Sequence, residues 1–218
     1  MEDEILLHIK ENRTIQLDIR EKGIISTKEI SLDTLLDCIK SSIQGVKIST
    51  GLLPERTLSV SISGDDSGKR YVVMEFPDEY ADITYTMTTY EHFPLPRLLF
   101  GFTVESSGRI SVVKMGVPAM GKLSPDTPMY CYPFSNVSRF NLCTGANSLP
   151  HIKSLSQLTN VPRYILSLPD NDDRYTDRNN KLNLGHRDLM EHLRDKDRAH
   201  YYSDILVPML HTTLKDFI

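Results

Sequence analysis

Leu98-Leu-Phe-Gly-Phe-Thr-Val-Glu-Ser-Ser-Gly-Arg-Ile-Ser-Val-Val-Lys-Met115 reads as two strands around a turn. Leu98–Glu105 and Ile110–Met115 are rich in β-branched and aromatic residues, and Ser106-Ser-Gly108 between them has hairpin-loop composition. Toward the N-terminus, Leu58–Ser63, Tyr71–Phe76 and Ile83–Tyr90 repeat the strand pattern, with Asp65-Asp-Ser-Gly68 as a second hairpin loop. Neighbouring strands joined this way predict an antiparallel meander over residues 53–115.

The remaining elements are placed around that meander. Ile5, Leu7 and Ile9 alternate against Ile15, Leu17 and Ile19 around Lys10-Glu-Asn-Arg13, which predicts a hairpin, and Ile24–Ile30 reads as a further strand. Ser31 is an expected N-cap with Asp33 in the first turn. Leu32, Leu35, Leu36, Ile39 and Ile43 then recur at helical spacing until Gly45, an amphipathic helix expected to face a core. Residues 151–181 read mostly as loop, punctuated by Pro162 and Pro169. A second helix is expected from about His186 to Arg198, with Leu189, Met190 and Leu193 on one face.

Composition narrows the function. The 25 Lys and Arg are outnumbered by 29 Asp and Glu, for a net charge of −4, and are spread evenly, so nucleic acid and anionic membranes are not expected partners. No run approaches the roughly 18–20 apolar residues of a membrane-spanning helix. The start, Met1-Glu-Asp-Glu4, is acidic where a signal peptide is basic, and Cys38, Cys131 and Cys143 are odd in number and widely spaced. A cytoplasmic location without disulfides or a thiol-rich zinc site is expected. His186 and His192 lie six apart, not at the i, i+4 spacing that converges two metal ligands, and read as solvated helix positions. No glycine spacing matches a phosphate loop, and no cofactor is expected.

Cys143 carries the chemistry. It precedes Thr144-Gly145-Ala146-Asn147, a loop composition, and its local sequence leaves open both an inert packed thiol and a nucleophile. A thiolate can carry acyl transfer without a dedicated base, whereas a cysteine hydrolase needs a histidine close in space, His151 being nearest in sequence. Cys131, flanked by Tyr130 and Tyr132, reads as a packing residue at a strand end, and Cys38 as core or core border. The cluster Ser167-Leu-Pro-Asp170-Asn-Asp-Asp-Arg174 reads as a solvated turn. Its functional alternative is a carboxylate, from Asp170, Asp172 or Asp173, that orients or deprotonates an incoming amine.

Helix, antiparallel meander, Pro133-Phe-Ser-Asn136, a spacer and Leu142-Cys143 resemble the active-site approach of ubiquitin-conjugating enzymes, where His-Pro-Asn precedes a hydrophobic residue and the catalytic cysteine. More specifically, Leu52-Leu-Pro-Glu-Arg-Thr-Leu58, Phe93-Pro-Leu-Pro-Arg-Leu-Leu-Phe100, Asp126-Thr-Pro-Met-Tyr130, Pro133-Phe-Ser-Asn-Val137 and Leu142-Cys-Thr-Gly145 resemble, in order and spacing, the prokaryotic family D of that superfamily, which includes PRTRC-system protein B. The resemblance covers most of residues 52–150.

It implies an α+β ubiquitin-conjugating-like domain over 31–218; residues 1–30 lie outside that core and are expected to form an added β extension packed on it. It implies that Cys143 forms a thioester with a ubiquitin-like modifier and that Asn136 corresponds to the asparagine of His-Pro-Asn, bracing the loop or donating to an oxyanion. Asn141 and Asn147 are alternative donors. Asp170 and Asn171 fall where relatives carry a second His-Pro-Asn-like element. The implied partners are the modifier, an adenylating activating enzyme and a JAB-type metalloprotease that removes the modifier. This chain has Phe134-Ser135 in place of His-Pro, and Cys143 follows Asn136 by seven residues, a slightly shorter interval than usual. Those departures motivate an alternative: a non-catalytic conjugating-fold module that binds a modifier or an activating enzyme.

Overall fold

The computed structural model describes residues 4–10, 14–22, 24–43, 49–64 and 67–218, and of Ile43 only the backbone. It is an α+β structure whose strands pair antiparallel throughout. Contacts divide it into two units, Met1–Ser49 and Thr50–Ile218. Among the described residues no helix is long and apolar enough to cross a membrane.

In the first unit, β1 (Glu4–Ile9), β2 (Thr14–Glu21) and β3 (Ile24–Ser31) form a three-stranded sheet, and α1 (Leu32–Ile43) follows without a loop. The register pairs Ile5 with Ile19, Leu7 with Leu17 and Ile9 with Ile15, as the alternation requires. Residues 11–13 of the expected turn and the expected helix stop at Gly45 lie outside the described residues. Ser31 caps α1, its Oγ accepting from the Thr34 amide at 3.1 Å. The helix forms where expected, but Leu32, Leu36 and Ile39 are exposed instead of facing a core, and so is Cys38.

In the second unit, β4 (Thr57–Ile62), β5 (Arg70–Glu75), β8 (Leu99–Val104) and β9 (Ile110–Pro118) are consecutive neighbours in one sheet. The strand expected over Ile83–Tyr90 is instead a hairpin of its own, β6 (Tyr80–Tyr85) and β7 (Thr88–Pro94), which form a two-stranded sheet separate from the central one. Thr86 adopts a positive φ of 54° at its tip, turning the chain back where a single strand was expected. Residues 65–66 of the β4–β5 loop lie outside the described residues.

The central sheet is buried on both faces because its strands alternate two apolar sets. Val72, Met74, Phe100, Phe102 and Met115 face a large core with Leu158, Ile165, Leu189, Met190 and Leu193. Val73 and Leu99 face a smaller one with Met129, Phe140, Leu214 and Phe217. The second core is closed by the C-terminal segment: its β13 (Pro208–Thr213) pairs with β10 (Pro128–Tyr130), and its Phe217 carbonyl accepts the Tyr71 hydroxyl at 2.6 Å. Two further short strands, β11 (Val137–Ser138) and β12 (Asn141–Leu142), extend the β9 edge through the Asn141–Lys114 pair.

The helices differ from expectation at two places. Residues 155–160 form a 3-10 turn running into α2 (Val161–Leu166), where a loop was expected. Pro162 sits in its first turn, where the missing N–H has no helical partner to lose, so this proline starts a helix instead of marking a loop. The second expected helix stops early: α3 spans His186–Leu193. Asp197 then starts a new turn, α4 (Arg198–His200), its carboxylate accepting the His200 amide at 3.0 Å.

Candidate functional site

Pro133-Phe-Ser-Asn-Val137 is nailed down on both sides of its asparagine. Phe134, Ser135 and Val137 are buried, Phe134 edge-on to Phe93 and Tyr201, so Asn136 is carried at a fixed place. Its φ is +62°, a left-handed conformation that asparagine tolerates better than most residues. From there β11 turns tightly through Arg139-Phe140 into β12. Phe140 points into the smaller core against Phe217, and its carbonyl accepts the Met115 amide at 2.8 Å.

The ladder pairs Ser138 with Asn141 and Val137 with Leu142, and its next step places Cys143 opposite Asn136, with the Cys143 amide donating to the Asn136 carbonyl at 2.8 Å. Side chains of an opposed pair lie on the same face. The interval of seven residues between them is therefore what closes this hairpin.

A third segment, residues 167–174, meets that face. Asp170 is held by its backbone to the β6–β7 hairpin through an isolated parallel bridge with Tyr85. The Thr86 amide donates to the Asp170 carbonyl and the Asp170 amide to the Thr84 carbonyl, both at 2.7 Å. Its side chain accepts from Asn136 Nδ2 at 2.5 Å and from the Asn171 amide at 2.9 Å, both on Oδ1. The Asp173 carbonyl accepts from Ser135 Oγ and from the Asn136 amide. Asn171 and Asp173 close a local turn, the Asp173 amide donating to Asn171 Oδ1 at 2.8 Å.

Together these segments line a cavity of about 490 Å³ that contains Cys143, Asn136, Asp170 and Asn171, with Tyr132, Leu142, Leu166 and Met190 among its apolar walls. All four residues expected at the site are thus brought to one cavity. Asn147 and Asp173 also line it, whereas Asn141 and Asp172 do not. Cys143 is half-buried and cavity-facing; Cys131 lies beyond β10, half-buried, with its thiol pKa pushed up by burial. His151 lies outside the cavity, against Gly108, and among the described residues no imidazole reaches hydrogen-bond distance of the Cys143 sulfur.

Electrostatically the cavity is built around Asp170. Burial lifts its carboxyl from the usual 3.8 to about 6, and the Asp172 charge adds to the rise, while the Asn171 and Ser135 amides and the Asn136 side chain oppose it. Behind Asp170 lies His186, 4% exposed, where a solvated position was expected. Its spacing was the missed signal, since His186, Leu189, Met190 and Leu193 occupy i, i+3, i+4 and i+7 of one helix and all four are buried. Tyr85 is a second residue not foreseen; its hydroxyl donates to Asp172 Oδ1 at 2.7 Å.

No family model, curated protein or solved structure matches this chain.

Proposed function

We propose that this protein is a ubiquitin-conjugating-like acyl carrier in which Cys143 accepts a modifier's C-terminal acyl group and passes it to an acceptor. The observation that carries the reading is the convergence of a loop thiol and an asparagine from one tight hairpin, and a raised-pKa carboxylate from a separate downstream segment, on one cavity. Cys143 thiolate attacks the carbonyl of the modifier's thioester on an activating enzyme, whose own thiolate leaves. An acceptor amine then attacks the new thioester; the C–N bond forms, the C–S bond breaks, and Cys143 departs as thiolate. Asp170 takes the proton that the amine loses, a role suited to a carboxyl whose pKa lies near 6. Asn136 braces Asp170 through its amide, and Asn171 fixes the same carboxylate through its backbone. The fold assignment to the prokaryotic conjugating-like family D, and the modifier, activating enzyme and JAB-type protease as partners, belong to this proposal.

The test is incubation with activating enzyme, modifier and ATP. A thiol-sensitive adduct is expected, converted by Cys143→Ser to a thiol-resistant ester or abolished. The same reducible adduct on Cys38 or Cys131 in Cys143→Ala would refute the assignment.

One observation favours a second reading, a non-catalytic binding module. The Asn136 side chain is committed to Asp170, so its use as an oxyanion donor is reduced. Modifier binding without any adduct, unchanged in Cys143→Ala, would select this reading.

A further inference from the structure

His186 is a buried ionisable group beside the cavity that the proposed transfer leaves unused. Its side chain is 1% exposed, yet its Nε2 has no hydrogen-bond partner. Native interiors seldom leave such an atom unpaired, and where they do a functional cause is worth seeking. Its other nitrogen, Nδ1, lies 3.2 Å from Asp172 Oδ1, and Nε2 lies 3.7 Å from Asp170 Oδ2.

The two oxygens of Asp170 are not equivalent. Oδ1 accepts from Asn136 Nδ2 and from the Asn171 amide. Oδ2 takes neither of these and lies nearest Nε2, so it is the oxygen placed to hand a proton to the imidazole. At 3.7 Å the pair is beyond hydrogen-bond range, so the transfer requires the carboxyl and the ring to approach.

We propose that His186 is a positioning residue that acts through Asp170: held neutral with Nδ1–H on Asp172, it presents the Nε2 lone pair to Asp170 Oδ2 and receives the proton the carboxyl collects from the acceptor amine. The proton passes from Oδ2 to Nε2, leaving Asp170 ionised and His186 an imidazolium between Asp170 and Asp172, and returns to solvent through Asp170. The proposal rests on the acyl-transfer reading for the source of the proton. The groups facing the imidazole fit this. Burial pushes its pKa down and favours the neutral resting ring, and the Arg187 charge on its own helix acts the same way, while Asp172 and the Asn171 backbone oppose them. Tyr175 stacks on the ring at 4.5 Å, Tyr85 lies at 4.4 Å and Phe134 at 6.1 Å, which fixes the plane of the ring and so the direction of Nε2.

The experiment pairs a variant with a spectroscopic readout on the intact protein. His186→Asn keeps a donor near the Nδ1 position and removes Nε2. In it, loading of Cys143 should be unchanged while discharge to a free amine falls by about ten-fold or more and the acidic limb of its pH profile shifts. Wild-type discharge and an unshifted profile in a folded His186→Asn protein would overturn the proposal. Nitrogen-15 shifts of His186 decide it independently of folding of that variant or of any adduct. Nδ1 should carry the proton at neutral pH, and Asp170→Asn should lower the Nε2 titration midpoint. A proton resident on Nε2, or a midpoint indifferent to Asp170→Asn, would overturn it. Absence of any wild-type adduct refutes the acyl-transfer reading instead, and the nitrogen shifts then still report whether Asp170 and His186 are coupled.

Discussion

Cys143 donates its backbone N–H to the Asn136 carbonyl at 2.8 Å, one step beyond the Val137–Leu142 pair of a tight hairpin. The thiol is thereby fixed by backbone pairing to the asparagine that braces Asp170, and the shortened sequence interval acquires a structural cause.

Asn136 has two separable roles, holding a left-handed backbone and donating to Asp170. Asn136→Ala loses both and should cost about 1–3 kcal/mol in denaturant unfolding; Asn136→Gly, free to adopt positive φ, should cost less. Both remove a donor that favours the ionised carboxylate, so the Asp170 pKa should climb above its value of about 6 in a carbon-13 carboxyl titration. An unchanged or lower pKa would contradict the brace.

The raised Asp170 pKa makes a signed prediction about stability. Between the unfolded value near 3.8 and the folded value of about 6 the native chain holds the extra proton, so stability contributed by this group falls as pH rises through that window. The deficit is complete above it and amounts to about 1–3 kcal/mol. Asp170→Asn should therefore be more stable than wild type at pH 7.5, with the difference closing below pH 4, as read from urea midpoints at the two pH values. Equal midpoints at pH 7.5 would remove the basis for a strained carboxylate.

The three thiols should separate on alkylation followed by mass spectrometry. Cys38 is exposed, whereas Cys131 is half-buried with its thiolate disfavoured by burial. Cys131 should be the last to react, and occupation of the cavity should protect Cys143 alone. Protection of Cys131 in place of Cys143 would misplace the binding site.

Gly108 closes the β8–β9 turn at φ +91°, and an added methyl would run into the Ile152 carbonyl. The Ile152 amide donates back to Gly108 at 3.0 Å, tying the loop that leaves Cys143 to the meander. Gly108→Ala should cost about 2 kcal/mol or more, measured by thermal or denaturant unfolding.

Much of this was legible in local sequence. Alternation set the β1–β2 register, Ser31 marked a helix start, and turn composition located the β8–β9 loop. The Ile83–Tyr90 strand was not legible as a hairpin, because Thr86-Met87 lacks the glycine or asparagine that signals a tight turn. Pro162 carried a signal that admits two meanings, loop or first helical turn, and the flanking apolar Leu158, Val161 and Ile165 settle it through burial. At the site, Cys143, Asn136, Asp170 and Asn171 came from composition and family resemblance. Their convergence depends on the Tyr85–Asp170 bridge, a pairing between segments some 85 residues apart that no local pattern encodes. His186 was hidden by its polar identity, although its helical spacing already placed it among buried neighbours.

That bridge has a practical consequence. Because the amides of Thr86 and Asp170 are each spent on the other segment, they form a natural two-point gauge of whether the carboxylate is moored. The hairpin tip beside them ends in Met87, 98% exposed, where a label or an inserted tag can be placed without entering the core. Deuterium uptake at Thr86 and Asp170 should rise together whenever the segment lifts and slow together when an occupant settles on it, which makes the mooring observable in solution before any substrate has been identified.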